Sequence, residues 1–291
     1  MKLTVLGIRE LPDIPSASGI EPMGTSIFVM GDDSPFLFRL NDKFEVIEKI
    51  PIGNVSAAID GKIPKAQKPD LEAMVAFGEE LLLFGSGSKS PERDVLVRLN
   101  TVSKISRTYS LGEFYDSLCS TEKITRNELN IEAAVVSEET LLLFNRKKNV
   151  VFKLNLLGLL AHAEGKSKVP SCERFCVTLP SLNGIGAGFS GAALTPDGRQ
   201  IIFSTSVENT PNRIDDGEIL GSFVGFLPIE NLKEAVVPDC LPLKDKNGTI
   251  LKIKVESVAV RKTDGPRKVR LLLVTDNDRS ASEILEAVFE W

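Results

Sequence analysis

Short apolar runs separated by polar turns organise this chain, and the runs recur. Three of them share one layout: FLFRLN at 36–41, VLVRLN at 95–100 and VVFKLN at 150–155. Each is an apolar stretch closed by a basic residue, Leu and Asn. Upstream lie stronger β-type runs, SIFVMG (26–31), ELLLFG (80–85) and TLLLFN (140–145). Earlier still, across short turns (GTS, GEE, SEE), an apolar residue is followed by Glu in GIEPM (19–23), DLEAM (70–74) and NIEAA (130–134). Short apolar runs bounded by turn residues predict well-buried strands. Each unit reads strand, turn, strand, polar loop, strand.

The C-terminal half repeats the layout more loosely. GFSGAALTPDGRQIIFST (188–205) has Ser190 in place of the Glu, PDG (196–198) as a hairpin turn and SFVGFLPI (222–229) as the next strand. The last unit runs KVESVAV (254–260), a turn at KTDGPRK, RLLLVT (270–275) and EILEAVF (283–289). With anchors near 21, 72, 132, 190 and 256, this gives five units of about 55 residues. The period predicts an all-β fold, a five-bladed β-propeller in a single domain over residues 1–291. Each blade has apolar faces that only its neighbours cover, so the ring must close. KLTVLGIR (2–9) is expected to pair with the last blade and clasp the ring. A pair of β-sandwiches is the competing fold, but it leaves five similar units unexplained. Insertions are expected at 53–69, 110–129, 161–180 and 207–221. A short helix is expected in SLGEFYDSLCST and a helical turn within 228–240.

Composition narrows the function classes. With 35 basic and 40 acidic residues the net charge is −5. The absence of a basic stripe argues against sequence-independent nucleic-acid binding. No apolar run approaches the roughly 20 residues that span a bilayer. MKLTVLGIRELPDIP lacks an apolar core of signal-peptide length, so a cytoplasmic location is expected. Cys119, Cys172, Cys176 and Cys240 lack the second pair or nearby His of a zinc pattern and are expected to be structural thiols. The single histidine, His162, is expected at the surface or in a loop. That disfavours Ser-His-Asp and Cys-His hydrolases. Chemistry is left to carboxylates, hydroxyls, Lys/Arg or a bound metal.

The first strand of a propeller blade lies nearest the axis. Glu21, Glu72, Glu132, Ser190 and Glu256 are therefore expected to form one ring around the channel. Two carboxylates about 5 Å apart repel by roughly 3 kcal/mol at an effective dielectric near 20, and a cation or protonation would relieve this. Oxygen ligands alone favour a hard ion, Ca²⁺. The competing reading is a hydrated ring that caps strand-end amides. A second tier follows each blade's second strand: Asp32, Asp33, Lys89, Arg93, Arg146, Lys147, Glu208, Asp276 and Asp278. Mixed charge at one channel mouth suits a small anionic ligand such as a phosphoester, with carboxylates activating water and Arg/Lys holding phosphoryl oxygens. For each residue singly, ordinary turn chemistry is the competing reading.

These segments resemble two propeller families. GFSGAALTPDGRQIIFSTSVEN, IEAAVVSEETLLLFNRKK, GDDSP and KVESVAV are similar to segments of the calcium-dependent apyrases, nucleoside diphosphatases with five blades and a central Ca²⁺. That resemblance implies a ring of Ser, Glu, Glu, Ser and Glu in chain order; the anchors here read Glu21, Glu72, Glu132, Ser190, Glu256, so the first departs. Ser34 and Pro35 replace the Arg that follows the apyrase Asp pair, and the base-stacking aromatics have no counterpart. SGIE, GDDSP and GFSGA also resemble bacterial propellers described by an esterase-like activity of phytase.

The expected function is a propeller with Ca²⁺ in its channel that hydrolyses a phosphoester. In that scheme Asp32 or Asp33 orients or deprotonates water, Arg146 and Lys89 hold phosphate, and Glu208 and Asp276 shape the metal's outer shell. Arg93, Lys147 and Asp278 complete the ligand-binding set. The rival is a non-catalytic scaffold for a ligand or protein, since propellers serve many functions. A carbohydrate-active site is disfavoured by two Tyr and one Trp.

Overall fold

A computed structural model of the chain describes residues 1–53, 58–59, 61–210, 217–233, 235–276 and 281–291. Five sheets form a five-bladed β-propeller. Strand β1 (Lys2–Pro15) comes first. Blade 1 is β2 (Ala17–Met23), β3 (Ser26–Gly31), β4 (Phe36–Leu40) and β5 (Val46–Pro51). Blade 2 is β6 (Leu71–Phe77), β7 (Glu80–Gly85), β8 (Val95–Asn100) and β9 (Ser106–Ser110), followed by helix α1 (Gly112–Glu122). Blade 3 is β10 (Ile131–Ser137), β11 (Thr140–Asn145), β12 (Val150–Asn155) and, after helix α2 (Leu156–Ala163), β13 (Cys172–Val177). A small hairpin, β14 (Ser181–Leu182) and β15 (Ile185–Gly186), precedes blade 4. Blade 4 is β16 (Gly188–Leu194), β17 (Gln200–Asn209), β18 (Glu218–Pro228) and β20 (Asp239–Pro242); the short β19 (Ala235–Val236) crosses back to pair in parallel with β13. Blade 5 is β21 (Val255–Gly265), β22 (Lys268–Thr275) and β23 (Ala281–Glu290), with β1 as its outer strand.

The first strands of successive blades touch in a closed cycle: β2 with β6, β6 with β10, β10 with β16, β16 with β21, and β21 with β2. Each second strand contains an apolar run because both its faces are covered. Phe28 and Met30 face blade 2, whereas Ile27 and Val29 face blade 5. Leu81 and Leu83 meet blade 1, while Leu82 and Phe84 meet blade 3. The same alternation at Leu141–Phe144 splits residues between blades 2 and 4. Five inter-blade cores replace one central core, which leaves the axis open for polar groups.

Closure takes the expected form, with a longer reach. β1 runs antiparallel to β23 from Lys2 opposite Glu290 to Pro15 opposite Ala281. Leu11 and Ile14 seal the core between blades 5 and 1. Two insertions differ from expectation. Much of 207–221 is strand, because the β17–β18 hairpin continues outward with Val207 and Leu220 buried against Ala187 and Phe223; residues 211–216 lie outside those described. Within 161–180, Cys172–Val177 is the fourth strand of blade 3, held by buried Phe175 and Val177. The helix expected in 110–129 is α1, and the turn in 228–240 is a 3₁₀ turn at Ile229–Asn231.

Candidate functional site at the channel mouth

Near its start, each inner strand drops one residue out of the ladder with the second strand. The register skips Ser18, Glu72, Glu132, Ser190 and Glu256. A β-bulge leaves its extra residue unpaired and re-aims the side chain. Five bulges at equivalent strand positions thus mark Ser, Glu, Glu, Ser and Glu, one on each inner strand. Glu21, the first anchor expected from sequence, is not among them. It pairs with Phe28 three residues further along β2 and lines a separate cavity of about 140 Å³ among Val75, Ala134, Val135, Ala192 and Val260. Burial there pushes its carboxyl up to about 8. Ser18 takes the ring position in blade 1, where its Oγ donates to the Leu71 carbonyl at 2.6 Å.

Two cavities of about 400 and 320 Å³ open beside the ring and share Glu72, Lys254 and Glu256. Glu132, Arg146, Lys147 and Glu208 line the larger; Ser18, Asp32, Asp33, Lys68 and Asp276 line the smaller. Most of the expected second tier is therefore brought together. Lys89 is not: it is half exposed, donates to the Ala66 carbonyl at 3.2 Å, pairs with Glu92 and lines neither cavity. Arg93 is turned to Asp70 at 2.5 Å. The reason is loop length. Asp32, Ser86 and Arg146 each donate a backbone N–H to the residue two before the bulge, so Ser86, not Lys89, is blade 2's equivalent position. Ser190 is fully buried, with its Oγ on Ser204 Oγ at 3.1 Å, and lines neither cavity. Asp278 lies outside the described residues.

The protein supplies cations of its own. Arg146 reaches Glu132, Glu256 and Glu208 at 3.6, 3.7 and 3.8 Å. Each attraction is worth about 4 kcal/mol at an effective dielectric near 20. Lys254 pairs with Glu256 at 2.9 Å. Lys68 bridges Asp32 and Asp70, the latter at 2.8 Å. Burial opposes the charged forms of Lys68 and Arg146, but the surrounding carboxylates hold both above their ordinary values. Burial also lifts the acids. Glu132 rises to about 7, with Glu256 adding to burial and Arg146 opposing it. Glu72 rises well above the usual range through burial, then Asp70, Glu132 and Asp32. Burial raises Asp32 despite Lys68.

A hard cation fits this donor set. Every bulge side chain offers oxygen, but among the described residues the three carboxylates that come within 4.8 Å of one another are Asp32, Asp70 and Glu72, of which only Glu72 is a bulge residue. Glu256 Oε2, Asp32 Oδ1 and Asp33 Oδ1 are buried without a hydrogen-bond partner. The sequence reading missed Ser18, Lys68, Asp70, Asn130 and Lys254. Four of these carried a signal. Asp70, Asn130 and Lys254 each stand two residues before a ring Glu. Ser18 stands eight before Ser26, as Glu72 does before Glu80 and Glu132 before Thr140. Away from the mouth, His162 lies on α2 with Nδ1 3.2 Å from the Ser167 carbonyl, and all four cysteines are free thiols.

Fold and mouth together define a five-bladed β-propeller with a charged axial site. The chain belongs to DUF6929, a family of unknown function whose profile matches residues 13–289. No curated protein matches the chain. Among solved structures, glutaminyl cyclase of Myxococcus xanthus is 8% identical, with 99% of this chain and 97% of that one covered and a TM-score of 0.53. The tail fibre of Staphylococcus aureus phage P68 is 10% identical, with 100% and 53% covered and a TM-score of 0.50. Kuenenia stuttgartiensis hydrazine synthase is 10% identical, with 91% and 58% covered and a TM-score of 0.43, so this chain spans little more than half of that one. At these identities the likeness is one of fold alone. No helix among the described residues is long and apolar enough to cross a membrane.

Proposed function

We propose that the channel mouth binds a divalent cation, Ca²⁺ by its oxygen donors, together with a small anionic, phosphorylated ligand. The carrying observation is the set of five bulges at equivalent strand positions, three of which present Glu72, Glu132 and Glu256 beside the two cavities. The chain order Ser, Glu, Glu, Ser, Glu is the order that the apyrase resemblance implies. Glu72, Glu132 and Glu256 would hold the ion, with Ser18 and Ser190 as hydroxyl members of the ring. A bound Ca²⁺ would polarise a phosphoryl oxygen. Arg146, Lys147 and Lys254 in the larger cavity would orient the anion. Asp32 and Asp33, each with a buried unpartnered oxygen, would accept a proton from water or position it.

Phosphate release from nucleotide and inositol-phosphate panels, with Ca²⁺ or chelator, tests the hydrolase form of this reading. Ca²⁺-dependent release that a D32N/D33N double variant loses is the expected result. Release that survives that variant removes the two aspartates from the chemistry. A second reading rests on Arg146, Lys68 and Lys254, which already neutralise much of the acid. It makes the mouth a cation-free scaffold that binds ligand without turnover. Ligand binding that is insensitive to Ca²⁺ favours it.

A further inference from the structure

We infer that Arg146 is the resident counter-ion of the ring and that a divalent cation binds by displacing its guanidinium. The inference rests on the reading of the ring as a cation site and adds how entry to that site is controlled. Arg146 lies within ion-pair range of Glu132, Glu208 and Glu256, at 3.6–3.8 Å, yet beyond hydrogen-bond distance from all three. Glu256 Oε2, one of the oxygens it faces, is buried and accepts no hydrogen bond. A buried arginine locked in a permanent salt bridge forms short, paired N–H···O contacts. This one sits centrally and is bonded to none, as a loosely held counter-ion would be.

The backbone fixes where the side chain starts but not where it ends. Arg146 N donates to the Asn130 carbonyl at 2.9 Å, so the residue is anchored at the open end of the β10–β11 hairpin, away from its turn. Its stem then crosses Gly188, where an added Cβ would lie 2.6 Å from Arg146 Cγ. Gly188 is thus a positioning residue: without a side chain it lets the arginine reach the carboxylates. The cavity of about 400 Å³ beside the ring gives the guanidinium room to withdraw. Cation and guanidinium satisfy the same oxygens, so each weakens the other's hold.

Calorimetric titration with CaCl₂ tests this on chelator-stripped parent, Arg146→Gln and Gly188→Ala, with thermal unfolding of the same samples. R146Q is expected to bind Ca²⁺ at least tenfold more tightly than the parent, to melt lower in chelator, and to regain stability on Ca²⁺ addition. G188A keeps every charge, so it serves even if R146Q folds poorly; tighter binding than the parent is again expected, by a smaller factor. Binding by R146Q where the parent shows none also supports displacement. Ca²⁺ binding by the parent that is unchanged or weakened in both variants overturns the inference and leaves the cation site standing. No binding by any of the three overturns the site and the inference together.

Discussion

Glu21 shows how one carboxyl's surroundings set its behaviour. Its carboxyl lies among Val and Ala side chains and, among the described residues, has no hydrogen-bond or ion-pair partner. Burial alone raises its pKa from 4.5 to about 8. Between those values the folded protein keeps a proton that the unfolded chain releases, so stability falls as pH rises through that window. Glu21→Gln removes the effect. The variant is expected to melt higher than the parent at pH 8.5, with the gap closing at pH 5. One pKa unit is about 1.4 kcal/mol, and each kcal/mol moves Tm by roughly 2–4 °C at this chain size. Melting curves that stay parallel from pH 5 to 8.5 would contradict it. The same residue marks the limit of reading the ring from sequence. Ile-Glu recurs as I-E at 20–21 and 131–132, and local similarity favoured that alignment. What separates Ser18 from Glu21 is distance to the next strand, which sets depth along the channel. Asp70, Asn130 and Lys254 were equally visible as residues, but their approach to the ring depends on bulges that no residue type announces.

At the scale of elements, the bulge and the clasp matter most. Second and third strands were plain in the sequence because inter-blade packing requires apolar residues on both faces. Outer strands were harder: β13 buries only Phe175 and Val177 and falls within the insertion expected at 161–180. Strand β1 combines both cases. Ile14 is fully buried between blades 5 and 1, whereas Ile8 is 41% exposed on the outer edge. Ile14→Ala is expected to cost about 2–5 kcal/mol as a core truncation. Ile8→Ala should stay within about 0.5 kcal/mol. Urea unfolding of the two variants compares them, and equal losses would mean that β1 does not seal the ring through its inner face. Blade 2 shows how loop length decides a residue's role. The loop after β7 is long, so Lys89 and Arg93 leave the mouth, and Arg93 secures Asp70 instead of meeting ligand.

At the scale of the molecule, a propeller gathers residues that are far apart in the chain. Glu72, Glu132 and Glu256 come from three blades, and no sequence window contains them together. Their convergence was legible through the repeat period, because equal units in a closed ring place equivalent positions at equal depth. Two of the cations, Lys68 and Lys254, were not, since they precede inner strands and lie outside the loops after second strands. That omission changes the electrostatics. The cavities beside the ring expose seven acidic side chains, Asp32, Asp33, Glu72, Glu132, Glu208, Glu256 and Asp276, against six basic ones, Lys62, Lys65, Lys68, Arg146, Lys147 and Lys254. A mouth so nearly balanced would hold an ion through local geometry more than through net charge. Register therefore carries the account. Thermal unfolding of chelator-stripped parent, E132Q and E21Q, each with excess Ca²⁺, Mg²⁺ or chelator, tests it most directly. At 100 times Kd a bound ion adds roughly 2.7 kcal/mol to the folded state. A Ca²⁺-specific rise in the parent and E21Q, absent from E132Q, is predicted. No rise in the parent, or one that E132Q keeps and E21Q loses, would contradict the ring of Ser18, Glu72, Glu132, Ser190 and Glu256 as a cation site.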